Sequence, residues 1–128
     1  MKRLPVLLLL ALAPVLALAL APVLPHAQES VRATRAEGAV LRGLDRVNGQ
    51  FEDYELQAGG TAALGPLSIT LLECRYPADN PAGDAFAHLN IAAGAETLFR
   101  GWMLASSPAL NAMDHPRYDV WVLRCTTS

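Results

Sequence analysis

The sequence predicts a mainly β protein, a single antiparallel β-sandwich or small barrel of about seven strands with one short helix and one disulfide. Three observations predict it. Short runs in which apolar and polar residues alternate recur along the chain, separated by Gly, Pro, Asn and Asp. No pattern of strands alternating with long helices appears, so a parallel α/β sheet is excluded. Cys74 and Cys125 are the only cysteines, and an even count in an exported chain reads as a disulfide.

Export is read from the N-terminus. Lys2 and Arg3 precede an uncharged apolar run from Leu4 to Leu24, the positive start and apolar centre of a secretory signal. Pro14 and Pro22 interrupt the helix that a retained membrane anchor would need, which favours a cleaved signal. Cleavage is expected after Ala27. Ala17-Leu18-Ala19 fits the small-residue rule better but would leave an apolar, Pro-rich tail. With no cysteine near the boundary, lipid attachment to a mature N-terminal cysteine is impossible. The expected organisation is a signal over 1–27, a flexible polar leader over 28–38 and a β domain over 39–128, located in the periplasm.

The elements follow in order. Asn48-Gly49, between Leu41–Val47 and Gln50–Leu56, is a hairpin signal because both residues tolerate positive φ. A two-residue turn there sets Arg42 opposite Glu55 and Leu41 opposite Leu56, with Asp45 unfavourably opposite Glu52. Gly59-Gly60 and Gly65-Pro66 bound a short strand, Thr61–Leu64, and a longer one follows from Leu67 to Tyr76. In that strand the apolar phase changes at Leu71-Leu72, which predicts a β-bulge that turns Cys74 inward. Pro77 to Asp84 has loop composition. Ala85–Ile91 alternates again, Gly94 turns the chain, and Thr97–Leu104 is apolar on both faces, as a central strand is. In Ser106–Pro116, Ser107 is placed to cap a short helix whose first residue is Pro108. Tyr118–Cys125 is the last strand, with Trp121, Leu123 and Cys125 on one face.

Removal of residues 1–27 leaves eight basic residues, all Arg, against twelve acidic ones, a formal charge of −4. An acidic body argues against nucleic-acid partners and against binding an anionic membrane surface. No membrane contact is expected beyond the signal segment, and no cofactor motif is present.

Candidate chemistry concentrates between Phe99 and Cys125. Asp114, His115 and Asp119 bring two carboxylates and an imidazole within six positions. They could bind a divalent cation or activate water, but the spacing matches no known ligand set and a structural role for each is simpler, so no metal is expected. Ser106 and Ser107 lack the Gly-x-Ser-x-Gly setting of a nucleophile. With few aromatics in the chain, Trp102 and Trp121 are expected in the core. Met113 and Tyr118, beside an irregular segment, are expected at the surface. The candidate interaction surface is Arg100, Asn111, Met113, Asp114, His115, Arg117 and Tyr118.

Gly43–Gln50 (GLDRVNGQ), Gly101–Asn111 (GWMLASSPALN), His115–Trp121 (HPRYDVW) and the terminal cysteine resemble a family of small exported bacterial proteins, domain of unknown function 2155. The resemblance implies an exported, disulfide-bearing envelope domain, chiefly alphaproteobacterial. It carries no activity with it, so it assigns no catalytic residue. The expectation is a non-enzymatic binding or accessory protein that contacts an envelope protein or polymer. The alternative is a small hydrolase or metal-binding protein using Asp114, His115 and Asp119.

Overall fold

Wherever the apolar phase runs at period two, the computed structural model, which describes residues 32–127, places a strand. The expected signal, its cleavage site and the start of the leader lie outside the described residues. The strands are β1 (Ala33–Arg35), β2 (Gly38–Asp45), β3 (Phe51–Gln57), β4 (Thr61–Leu64), β5 (Leu67–Pro77), β6 (Phe86–Ala93), β7 (Glu96–Leu104) and β8 (Tyr118–Thr126). They form two antiparallel sheets, one in the order β1-β5-β6-β7 with β4 also on β5, the other in the order β3-β2-β8. Two separate sheets make this a sandwich and not a closed barrel. No helix among the described residues is long and apolar enough to cross a membrane.

Three expectations about the strands are corrected. Ala33–Arg35, assigned to the flexible leader, pair with Pro77–Arg75, and Ala36 is buried. The pairing is carried by backbone hydrogen bonds, which polar side chains do not reveal. β7 is an edge strand and not a central one. Its two-sided apolar character serves the core on one face and, on the other, a stack of Trp102 against His88 with ring centroids 4.8 Å apart. The β2–β3 register is also shifted: Arg42 lies opposite Asp53 and Leu41 opposite Tyr54.

The cause of that shift is local. Asp45 Oδ1 accepts from Val47 N, and Asn48 Oδ1 accepts from Gln50 N, so two side chains stabilise a loop longer than two residues. Asp45 N donates to Gln50 O across it, and Gly49 supplies the left-handed residue at φ +73°. A slip of two keeps every side chain on its face. It also relieves the Asp45–Glu52 opposition and lets Arg42 clasp Asp53 with two hydrogen bonds, 2.7 and 2.9 Å.

Cross-strand partners skip from Leu71 to Glu73, so Leu72 is the expected bulge residue and Cys74 points inward, fully buried. β8 does the same: partners pass from Val122 to Arg124 and leave Leu123 as the extra residue. The face expected for β8 is therefore corrected. Tyr118, Val120, Val122 and Cys125 face the core, while Trp121 and Leu123 do not. Each bulge precedes a cysteine by two positions, and the two sulfurs join at 2.08 Å, tying β5 of one sheet to β8 of the other. Between the sheets lie Leu41, Leu67, Ile69, Leu71, Leu89, Ile91, Val120 and Val122, all essentially inaccessible. Each such side chain stabilises the fold by roughly 1.5–3 kcal/mol relative to exposure.

The connection from β7 to β8 holds a single 3-10 turn, Pro108–Leu110. Ser107 makes no side-chain cap, contrary to expectation. Ser106 supplies the anchor instead, its hydroxyl donating to Asp84 Oδ2 at 2.6 Å. Met113 and Tyr118, expected at the surface, are core residues at 4% and 6% exposure. Both belong to the same buried cluster as the sheet residues, so the β7–β8 connection contributes to the core. Trp102 and Trp121, expected inside, are only half-buried. The inward positions of their strands are taken by Met103 and by Val120 and Val122.

Candidate functional site

Asp45 and Tyr118 are cross-strand partners, so the end of β2 and the start of β8 lie side by side. Arg46 N continues the ladder by donating to Arg117 O at 2.8 Å. Two ion pairs then cross between these stretches. Arg117 donates to the Asp45 carboxylate through Nε (3.1 Å) and Nη2 (2.8 Å). Arg46 donates through Nη2 to Asp119 Oδ2 (3.1 Å) and through Nη1 to His115 O (2.9 Å). The hydrogen bonds from Arg117 hold the Asp45 carboxyl below the ordinary carboxylate range.

A depression lies on each side of this double clamp. The first is a polar mouth between the sheets, of about 300 Å³, walled by Tyr54 and Tyr118 and rimmed by Asn48, Gln50, Glu52 and the Asp45–Arg117 pair. Glycine lets its walls pack closely. A side chain at Gly43 would meet Leu64 and Tyr54 at 3.0 Å, and one at Gly65 (φ +55°) would run into the Tyr118 ring. The second is a more apolar depression of about 370 Å³ lined by Pro108, Ala109, Ala112, Met113 and Trp121, with Arg46 and Asp119 at its rim. Leu110 and Val47, each more than 70% exposed, are neighbours in sequence of its lining residues.

Arg117 and Tyr118, named from sequence, thus belong to the mouth. His115 sits beside them and braces the backbone, its Nδ1 accepting the N–H groups of Arg117 (3.0 Å) and Tyr118 (3.1 Å). Asn111 donates to Trp102 O at the edge of β7, Asp114 is exposed, and Met113 is in the core. Arg100 is elsewhere, opposite Asn90 on the four-stranded path. Sequence reasoning missed Asp45, Arg46, Asn48, Gln50, Glu52 and Tyr54. The Asp-Arg pair next to a turn signal was visible, but nothing local shows that it meets 117–119.

Of the residues in the hydrolase and metal readings, His115 Nδ1 and Asp119 are otherwise engaged and Asp114 is exposed. Asp119 is held by Arg46, and the Ser106 hydroxyl donates to Asp84, not to a histidine. Among the described residues no group of three or more His, Cys, Asp or Glu is placed to hold a metal ion.

Comparison with known proteins gives two matches. The profile of a family described as "uncharacterized protein conserved in bacteria (DUF2155)" matches residues 39–125. An uncharacterized protein of Rickettsia prowazekii (strain Madrid E) is 29% identical over 87 residues, which cover 64% of this chain and 56% of that protein. The chain therefore spans little more than half the length of this relative. No solved structure matches.

Proposed function

We propose, for a chain that belongs to the bacterial DUF2155 family, that it is an exported, non-enzymatic binding or accessory domain of the cell envelope, working in the periplasm. One observation carries the reading. The two depressions on either side of the Asp45–Arg117 and Arg46–Asp119 clamp are lined by residues from Gly43–Gln50, Gly101–Asn111 and His115–Trp121. The first segment ends 51 positions before the second begins, and a fold that needed only a core would not have to bring it to the same concave end as the other two. The cross-sheet disulfide suits an oxidising compartment. The apolar run behind Lys2 and Arg3 suits export.

The test is crosslinking in intact cells, with a photoreactive residue at position 47, 110 or 79. Val47 and Leu110 are exposed near the depressions, whereas Asp79 is exposed in the loop after β5, beyond the opposite end of that strand from Gly65. Adducts are expected from 47 and 110, in the periplasmic fraction, and not from 79. Equal labelling at all three positions, or none at 47 and 110, would remove the proposal.

A further inference from the structure

We infer that the polar mouth holds one uncharged sugar ring of an envelope glycan, an assignment that rests on the binding role proposed above. Size sets the first limit. About 300 Å³ is at the low end of the range of small-molecule sites, on the order of 300–1,000 Å³, so the mouth takes one ring and not an extended chain.

Charge sets the second limit. Asp45 and Arg117 neutralise one another through a two-pronged contact, and Glu52 is then the remaining formal charge on the rim. One net negative charge repels phosphate and carboxylate ligands. An ammonium group would need more than this, since Asp45 already accepts from Arg117 and from Val47 N and only Glu52 is left to receive it. A neutral polyol fits better, because it wants donors and acceptors in mixture and not a counter-charge.

The side chains supply that mixture. Asn48 Oδ1 is occupied by Gln50 N, which leaves the Asn48 Nδ2 hydrogens to donate. Gln50 and Glu52, both exposed, add an amide and an acceptor. Half-buried Tyr54 gives a flat wall with a polar tip, the kind of surface on which the C–H face of a sugar ring packs.

The experiment uses the purified full-length mature chain and follows backbone amide shifts by NMR during titration with N-acetylglucosamine, with a trilysine peptide and inorganic phosphate in parallel. Saturable shifts are expected at Asn48–Glu52 and Arg117–Tyr118 with N-acetylglucosamine, with Kd on the order of 1 mM for so small a ligand. The double variant Gln50→Ala, Glu52→Gln should raise that Kd about tenfold or more with the melting temperature unchanged, because both residues are exposed. Tyr54→Phe, which removes only a hydroxyl, gives a second variant should the first unfold. The assignment is overturned by an absence of saturable shifts, by shifts that survive both variants, or by trilysine or phosphate binding the mouth more tightly than the sugar. If the sugar fails while positions 47 and 110 still crosslink to a partner, only the ligand class falls and the binding role stands.

Discussion

Asp84 accepts three hydrogen bonds, from Ala85 N, Ser106 N and the Ser106 hydroxyl, and so fastens the loop after β5 to the end of β7. Burial pushes its carboxyl up, but the bonds from Ser106 and Ala85 outweigh this and leave the pKa below its ordinary 3.8. A carboxylate whose folded pKa is depressed contributes stability that is present above its unfolded value and is lost as pH falls through the folded value. Asp84→Asn should therefore cost about 1 kcal/mol at neutral pH, allowing for partial exposure, and the difference from the native chain should shrink as pH falls below the ordinary 3.8 and through the lower folded value. Urea denaturation at pH 7 and pH 3 checks this, and a difference that stays constant with pH would show that the charge is not what holds the loop. Asp45 and Asp53 add to the same acid-side loss, since hydrogen bonds from Arg117 and Arg42 hold both carboxyls low. Of the candidate residues named from sequence, the long-range role of Arg117 was the least visible. Its partner Asp45 is 72 positions away.

At the scale of the element, two bulges decide where the cysteines point. Leu71 and Cys74 are three positions apart and both inward, which an unbroken strand forbids. Deleting Leu72 should restore plain alternation with Cys74 still inward and opposite Ala87, so that the disulfide to Cys125 is kept. Thiol titration of the variant should then find no free sulfhydryl. Two free sulfhydryls would show that Leu72 is not the extra residue of the strand. The first bulge was legible because polar Ser68 and Thr70 mark one phase and Glu73 and Arg75 the other, so the change between them shows. The second was not. Val120, Trp121, Val122 and Leu123 are all apolar, and such a run looks the same in either phase. The β2–β3 loop length was hidden for a related reason, since a slip of two leaves every face unchanged.

For the whole molecule, the Cys74–Cys125 link closes a loop of 51 positions and joins the two sheets near the end of β8. On a chain-entropy account, removing it by Cys74→Ala with Cys125→Ala should cost roughly 4 kcal/mol. Urea midpoints compared at equal m-value measure the loss, and a shift of less than about 1 kcal/mol would mean that the sandwich core suffices without its brace. A domain of this size buries a modest fraction of its surface, so a loss of that order is a large share of its stability.

Local pattern alone determined the all-β class, the turn positions, the β5 bulge and the pairing of two cysteines, because period-two alternation and turn chemistry are properties of neighbours in the chain. Only the tertiary structure decided that Met113 and Tyr118 are core, that both tryptophans lie on outer faces, and that Asp45 and Arg46 meet Arg117 and Asp119. Alternation says that a strand has two faces, but not which strand lies beside it. Contacts spanning 72 and 73 positions follow from the order β3-β2-β8, and that order is settled by which arrangement buries both sheets together.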